Sequence, residues 1–452
     1  MSNLKKIALF SNYSWAYTSA TVARKYFPEN DITLITANTE DVAKNHDFGI
    51  TVLELASLEP KGAPSVVKQL KIFKGMGFDA AIIDYGFSLN TAFLLLFMNF
   101  KKIFMIDFGS KEIVRAITKG QFLATFRKKL YFFVNKILIH ISMGFRMGVS
   151  LGFPSEISIE TTTICNLQCR GCPTGLGQLN RPPMLIPQEL FDNITEKNRI
   201  NFRYFDTIYP FIFGEPLLNN KMIDYLKKLR RISSPYTRIE LHTNGNIPDS
   251  KELVRRLLGT GVDLISISVD GTDKTAYESF RKGGNFELVF EFVKNLTAAK
   301  KEKGLLKPEV VVQMILTRYS ESQKGGAKRL KEELGADRLL FKGFFHEFTG
   351  LSDEDGYSIA PLQKDLTLNE KDKKAIIEGK KNLCGWAYRA ISIMCNGNVT
   401  PCCIDFNTVL LDGLKIDRDV SIRDIWNSPK YRRFRKNMLH GKIPICNKCF
   451  FS

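Results

Sequence analysis

The feature that most restricts what this chain can fold into is a short loop with three cysteines, Cys165, Cys169 and Cys172. Their CxxxCxxC spacing places three thiolates on one stretch of backbone. Three thiolates can hold a four-iron cluster while one iron keeps an open coordination position. A structural zinc site needs a fourth protein ligand, and no neighbouring Cys or His supplies one. The loop therefore predicts an iron-sulfur cluster that can take a further ligand.

A second group of cysteines lies near the C-terminus. Cys384, Cys402, Cys446 and Cys449 form the pattern C-x17-C-x43-CxxC. Four thiolates can close a cluster completely, although the same number also fits a structural zinc ribbon. Cys395 and Cys403 lie between these ligands. We expect Cys395 to be a small buried hydrophobic residue, and Cys403 is an alternative ligand to its neighbour Cys402.

The distribution of cysteines and apolar residues predicts a cytoplasmic protein. All nine cysteines fall in these two regions, unlike the paired framework of a small secreted protein. The N-terminus lacks the pattern of a secretion signal, and the longest apolar run, 91–100, is about half a bilayer span. The net charge of +18 favours an anionic partner, such as the inner face of the membrane. We do not expect a nucleic-acid partner, because no dedicated binding motif is present.

The first 112 residues alternate strand and helix patterns, which predicts a Rossmann-like parallel α/β domain. No GxGxxG follows the first strand, so dinucleotide binding is not indicated. The domain is similar to the nucleotide-sugar α/β domains of glycosyltransferases, and a purely structural or docking role is the alternative. The predicted strands are 7–11, 32–36, 52–55, 80–84 and 103–107.

Residues 113–150 are predicted to form a basic amphipathic linker helix. Arg127, Lys128, Lys129 and Lys136 stand among many aromatic and aliphatic residues. Such a helix can lie in a membrane interface, facing anionic headgroups. The interpretation we favour is a linker helix packed between two domains.

Residues 151–348 show six strand and helix units, which predicts a partial (β/α)6 barrel with its chemistry at the C-terminal strand ends. A loop or linker over 349–381 and a small cysteine-rich domain over 382–452 follow. In that domain Ser428 and Pro429 are a predicted N-cap and first residue of a helix. The predicted barrel strands are 157–162, 207–213, 238–243, 264–269, 310–316 and 339–345.

The first cysteine loop and its barrel resemble the radical S-adenosylmethionine (SAM) superfamily. The stretch from Pro401 to Asp405 and on to Cys446 is similar to SPASM and twitch auxiliary-cluster domains. The resemblance covers roughly residues 154–452. Because the chain ends soon after the CxxC, we expect one auxiliary cluster of the shorter type.

The resemblance implies the cofactors and the type of reaction. SAM chelates the open iron, and an electron from the [4Fe-4S] cluster splits it to a 5′-deoxyadenosyl radical that removes a hydrogen atom from the substrate. The family also implies an auxiliary [4Fe-4S] cluster and an electron donor of the flavodoxin or ferredoxin type.

The family also implies a set of cofactor-binding residues at the strand ends. Phe213 replaces the first glycine of the family's GGE-type motif. Gly171 stands where many members have an aromatic residue over the adenine, so adenine packing must come from elsewhere. The implied cofactor-binding residues are Gly214, Glu215, Pro216, Thr243, Asn244, Ser268, Asp270 and Gln313.

Two clusters suit a dehydrogenation, in which a base takes a proton and the surplus electron leaves through the second cluster. Asp405 is the candidate proton acceptor. The N-terminal domain and the basic helix favour a carbohydrate or glycan-linked substrate. The alternatives are a small molecule of another kind, a peptide or protein substrate, and a non-catalytic iron-sulfur or zinc-binding scaffold.

Overall fold

The computed structural model describes residues 119–344, 353–362 and 383–449, together with residue 29 and six strands between residues 6 and 117. The chain divides into two compact units, with the boundary between Tyr131 and Phe132.

The first unit contains one six-stranded sheet in the order β3-β2-β1-β4-β5-β6. The first five strands are parallel, as predicted, and their order is that of doubly wound nucleotide-binding folds. Ile7, Leu9 and Ile82 lie in its core. The strands are β1 (Lys6–Phe10), β2 (Asp31–Thr36), β3 (Thr51–Glu54), β4 (Ala80–Asp84), β5 (Lys102–Asp107) and β6 (Glu112–Ile117).

Strand β6 corrects the predicted start of the linker helix. The sequence from residue 113 was expected to be helical, but β6 pairs antiparallel with β5 and extends the sheet to Ile117. The β-branched residues Ile113, Val114 and Ile117 suit a strand, and this pairing overrides the helical pattern that follows. Helix α1 begins only at Lys119 and ends at Gly144.

The second half of α1 packs on the second unit by one face. Asn135 accepts a hydrogen bond from the Phe153 amide at 2.7 Å and donates to the Phe153 carbonyl at 2.9 Å. Ile139 is buried in the core, whereas Phe133 and Ile137 on the other side are exposed. Contact of this face with a membrane remains a prediction. None of the helices among the described residues is long and apolar enough to span a bilayer.

The second unit is built on the predicted six parallel strands, in the order β12-β11-β10-β9-β8-β7. Buried aliphatic residues such as Ile157, Ile239 and Val312 form its core. The strands are β7 (Glu156–Ile159), β8 (Thr207–Tyr209), β9 (Arg238–Thr243), β10 (Leu264–Ser268), β11 (Glu309–Leu316) and β12 (Arg338–Gly343).

Helices connect these strands. Their alternation with the strands agrees with the predicted strand and helix units. The helices are α2 (Gln188–Lys197), α3 (Arg199–Phe202), α4 (Met222–Ile232), α5 (Ser250–Leu258), α6 (Lys274–Phe280), α7 (Phe286–Glu302) and α8 (Ala327–Glu333). Within the predicted linker over 349–381, the structure describes one helix, α9 (Asp353–Ile359).

The cysteine-rich region continues the barrel sheet, which the sequence did not predict. Strand β13 pairs parallel with β7, and β14 pairs antiparallel with β13. Its core surrounds Arg435, which is fully buried, donates to the Ala387 carbonyl at 2.8 Å and stacks over Trp426 and Tyr431. As predicted, Ser428 caps the helix that starts at Pro429. The elements are α10 (Trp386–Arg389), β13 (Ala390–Ile393), β14 (Val399–Thr400), α11 (Ile422–Trp426), α12 (Pro429–Leu439) and α13 (Pro444–Lys448).

Candidate functional site

The first cysteine loop follows β7 and is fixed from two sides. The Gln168 amide donates to the Lys282 carbonyl at 2.8 Å, and the Glu215 amide donates to the Ile164 carbonyl at 2.8 Å. Cys169 is buried, while Cys165 and Cys172 are half-buried. Burial raises the pKa of Cys165 to about 12, so this thiol needs a bound cation to ionise at neutral pH.

Two glycines fit the loop to its surroundings. Gly171 has φ +78°, a left-handed conformation that an aromatic residue rarely adopts, which accounts for the departure from the family pattern. Gly214 has φ +71°, and a Cβ there would lie 2.6 Å from the Thr162 carbonyl oxygen. The loop after β8 therefore packs directly on the backbone that leads to Cys165.

Glu215 forms the centre of a buried network rather than an open binding group. Its carboxylate accepts hydrogen bonds from the Thr243 hydroxyl at 2.7 Å, from the Asn244 amide at 2.6 Å and from the Leu217 amide at 3.0 Å. Pro216, also predicted in the site, starts the 3-10 turn that Glu215 caps. Burial nevertheless raises the pKa of Glu215. This network joins the ends of β8 and β9.

Asn244 carries the network to the cysteine loop. Its side-chain amide donates to the Asn166 side chain at 2.9 Å and lies 3.8 Å from the Cys165 sulfur. Asn166 in turn donates to the Asn246 carbonyl at 2.8 Å. The sequence analysis did not single out Asn166 or Asn246, although Asn166 stands between two of the predicted ligands.

Asp270 is committed to Arg281, another residue that the sequence analysis missed. Their ion pair has an Nε–Oδ2 distance of 2.6 Å, and Asp270 also accepts from the Ile315 amide at 2.6 Å. Arg281 then places Nη1 3.5 Å from the Cys169 sulfur. The Asp270 carboxylate holds the pKa of Arg281 well above its usual value despite burial. Asp270 thus positions a cation beside a predicted cluster ligand.

Ser268 and Gln313 differ from these residues because their polar groups are available to a ligand. They are direct neighbours in the register of β10 and β11. Gln313 is 6% exposed, and its side-chain oxygen has no hydrogen-bond partner among the described residues. A buried acceptor of this kind needs a donor. A cofactor over the strand ends would supply one.

The four predicted auxiliary ligands line a single pocket, together with apolar residues that include Phe434 and Met438. The cysteines are Cys384, Cys402, Cys446 and Cys449. Cys403 instead lines the barrel cavity, which favours Cys402 as the ligand. In the described part of the chain, no group of three or more Cys, His, Asp or Glu side chains is arranged around a single metal ion.

Asp405 lines the same pocket, but protein donors already occupy both of its oxygens. It accepts hydrogen bonds from the Thr400 hydroxyl at 2.8 Å and from the amides of Val409 and Leu410 at 2.8 and 3.0 Å. This geometry fixes the turn after Cys402. It gives no support to Asp405 as a proton acceptor.

A buried ion pair connects the first cysteine loop to the auxiliary region. Arg181, after that loop, binds Glu160 with distances of 2.5 and 3.1 Å and donates to the Phe406 carbonyl at 2.6 Å. Cys395 is buried, as predicted, but it also donates its thiol to Glu160 at 3.0 Å. Phe213 packs between the Arg181 guanidinium and the Phe406 ring. The substitution of glycine by Phe213 therefore serves this contact.

The barrel encloses a cavity of about 420 Å³. Its volume is in the range of small-molecule sites. Burial lowers the pKa of His242 in its wall, so this imidazole is neutral at pH 7. The wall includes Ser158, Tyr209, Phe211, Glu240, His242, Ser266, Lys342 and Cys403.

Comparison with known proteins agrees with this arrangement. Residues 159–319 match the model of the radical SAM superfamily, and residues 384–450 match SPASM, an iron-sulfur cluster-binding domain; together they span about half of the chain. The chain belongs to the radical SAM superfamily. Members of this superfamily are enzymes, and the two matched domains imply a [4Fe-4S] cluster, SAM and auxiliary iron-sulfur chemistry.

Relatives of this radical SAM protein are distant. It is 23% identical over 321 residues to the tungsten-containing aldehyde ferredoxin oxidoreductase cofactor-modifying protein of Pyrococcus furiosus, covering 64% of this chain and 86% of that one. It is 25% identical over 186 residues to mycofactocin maturase MftC of Mycobacterium tuberculosis, covering 41% and 44%. The structure of Streptococcus suis SuiB bound to S-adenosylmethionine aligns with a TM-score of 0.47 and 15% identity over 74% of this chain and 79% of that one.

The residues present fit the cofactors that the radical SAM domain implies. Cys165, Cys169 and Cys172 would hold the first cluster, and the available oxygen of Gln313 beside Ser268 fits SAM at the strand ends. Cys384, Cys402, Cys446 and Cys449 would hold the auxiliary cluster.

Proposed function

We propose that this radical SAM enzyme oxidises an alcohol carbon of a carbohydrate or glycan-linked substrate held in the barrel cavity. One observation carries the proposal. Cys402 lines the auxiliary pocket, whereas its neighbour Cys403 lines the cavity, so the two sites are one residue apart along the chain. A substrate in the cavity would therefore lie close to an electron acceptor.

When bound, SAM and its cluster supply a radical that removes a hydrogen atom from carbon, and the auxiliary cluster supplies an acceptor for the remaining electron. The hydroxyl proton needs a base. His242 is better placed for this than Asp405, because its imidazole is neutral and lines the cavity. It stacks on Phe211 at 4.6 Å between ring centroids, which fixes the plane of the ring. An alcohol that loses one hydrogen atom, one proton and one electron becomes a carbonyl, so these three transfers account for the whole oxidation.

The test uses anaerobically reconstituted protein reduced with dithionite. We expect it to form 5′-deoxyadenosine from SAM, and the Cys169→Ser variant not to form it. With sugars deuterated at their alcohol carbons, deuterium should appear in 5′-deoxyadenosine and a carbonyl in the sugar. A His242→Gln variant should take deuterium from the substrate but release carbonyl product more slowly.

Other outcomes separate the alternatives. Deuterium transfer from labelled peptides but from none of the sugars would reject the carbohydrate proposal in favour of a peptide-modifying enzyme. A protein that contains zinc alone, or that never cleaves SAM, would be a non-catalytic scaffold.

A further inference from the structure

Among the described residues, one cation in the wall of the barrel cavity has no carboxylate partner. Apart from His242, the acidic and basic side chains among the described residues that line the cavity are those of Glu240, Arg338 and Lys342. Glu240 pairs with Arg238 at 2.7 Å, and Arg338 pairs with Glu309 at 2.7 Å. Lys342 makes no ion pair or hydrogen bond within the described part of the chain.

Lys342 lies at the end of the barrel where the chemistry is expected. It is opposite Ile315 in the register of β11 and β12, two positions beyond Gln313. The acidic groups that act on it, Asp270 and Glu240, are already neutralised by Arg281 and Arg238. Its ammonium group therefore keeps its attraction for a further anion.

A second polar group in the wall also makes no hydrogen bond with the described part of the chain. The Ser266 hydroxyl is buried, lines the cavity and has no hydrogen-bond partner among the described residues. Buried hydroxyls that a protein does not satisfy are usually satisfied by water or a ligand. A lysine ammonium is suited to a carboxylate or phosphate. The Ser266 hydroxyl is level with Arg338 in the strand register, so it would bond another part of the same substrate.

We propose that Lys342 anchors an anionic group of the substrate, a carboxylate or a phosphate, inside the barrel cavity. This rests on the proposed function, because it names the class of substrate that the same site would take: an acidic sugar or a sugar phosphate. Neutral glycans offer no anionic group to pair with Lys342.

The reactivity of the Cys403 thiol can report the charge of Lys342, because Cys403 lines the same cavity and interacts electrostatically with Lys342. Iodoacetate and iodoacetamide alkylate thiols by the same displacement of iodide but differ in charge. Their rate ratio at Cys403 reports the attraction of anions to the cavity, whatever the ionisation of the thiol. The measurement uses the anaerobic holoenzyme without SAM, with the site identified by peptide mass spectrometry.

We expect Lys342→Gln to lower the iodoacetate to iodoacetamide ratio about threefold, because removing a unit charge within about 6 Å of a reacting group has an effect of this size even in a watery site. Lys342→Arg should keep the ratio. Lys324→Gln is the matched control. The Lys324 ammonium lies over the ring of Phe341, which precedes Lys342 in β12, and Lys324 is not among the residues that line the cavity. It should leave the ratio unchanged.

Protection experiments identify the anion. Glucuronate and glucose 6-phosphate should slow the alkylation of Cys403 by neutral iodoacetamide, whereas glucose should not. Stronger protection by glucuronate indicates a carboxylate on the substrate, and stronger protection by glucose 6-phosphate indicates a phosphate. An unchanged ratio in Lys342→Gln, an equal fall in Lys324→Gln, or alkylation at Cys402 instead of Cys403 would overturn the proposal. Cleavage of SAM by the wild-type protein tests the proposed function separately, since the alkylation assay involves no turnover.

Discussion

The Arg281 guanidinium lies 3.5 Å from the Cys169 sulfur and is held there by the buried carboxylate of Asp270. A cation that donates to a ligand sulfur stabilises the more negative, reduced state of a cluster. The pair therefore connects the fourth barrel strand to the electronic properties of the first cluster.

Replacing Arg281 with Met should lower the reduction potential of the first cluster. We expect a shift on the order of 60 mV, equivalent to about 1.4 kcal/mol for a one-electron couple. Potentiometric titration followed by electron paramagnetic resonance measures it. Because Arg281→Met also leaves Asp270 as a buried charge, the Asp270→Asn/Arg281→Met double variant is the control. It should recover part of the shift, and an unchanged potential in both variants would contradict a role for Arg281.

Cys402 and Cys403 should behave differently although they are adjacent. Cys402→Ser should lose the auxiliary cluster and about half of the iron, because Cys402 lines the pocket with the other three cysteines. Cys403→Ser should keep both clusters. Iron and sulfide analysis of reconstituted variants checks this, and the reverse result would make Cys403 the ligand.

The buried Glu160–Arg181 pair should matter more for stability than an exposed pair of similar length. Arg181→Met leaves the Glu160 carboxylate buried without its partner, which typically costs about 3–5 kcal/mol. Arg418→Met breaks the exposed pair with Glu189, at 2.7 Å, and should cost much less, because solvent screens that pair. Thermal unfolding of both variants tests the difference; similar losses would show that Arg181 does not support the fold.

Asp206 should make the protein less stable as the pH rises. Burial, with the nearby Glu156 carboxylate, raises its pKa to about 6, above the value of about 3.9 in an unfolded chain. Between these values the folded state binds more protons, so stability falls as the pH increases. Asp206→Asn removes this penalty.

We therefore expect Asp206→Asn to raise the free energy of unfolding at pH 7 by about 1–3 kcal/mol, which thermal melts would show as a higher melting temperature. The gain should shrink towards pH 5. Asp419→Asn, at an exposed carboxylate, is the control and should show no such trend. A gain in stability that stays constant from pH 5 to pH 8 would contradict a raised pKa for Asp206.

The sequence predicted the features whose signal is local. Barrel strands such as Arg238–Thr243 were predicted because apolar runs alternate with helical patterns. The cysteine ligands and the cofactor-binding residues at the strand ends stay predictions. The contacts of those residues could not be predicted, since Glu215 and Asp270 are bound by partners distant in sequence.

Features that depend on long-range pairing could not be predicted. The parallel pairing of β13 with β7 joins residues more than two hundred positions apart, and no local pattern encodes it. Lys342 is one of many lysines in the sequence. Its significance depends on Arg238, Arg281 and Arg338 each having a carboxylate partner when Lys342 has none among the described residues.

The pairing of β13 with β7 also bears on how this protein could be divided. Strand β7 leads directly to the first cysteine loop, and β13 completes its hydrogen bonds on one side. A fragment that stops before Ala390 would therefore leave the edge of β7 unpaired beside the first cysteine loop. Unpaired strand edges are a common cause of aggregation. The radical SAM domain and the auxiliary region should therefore assemble correctly only when they are expressed as one chain.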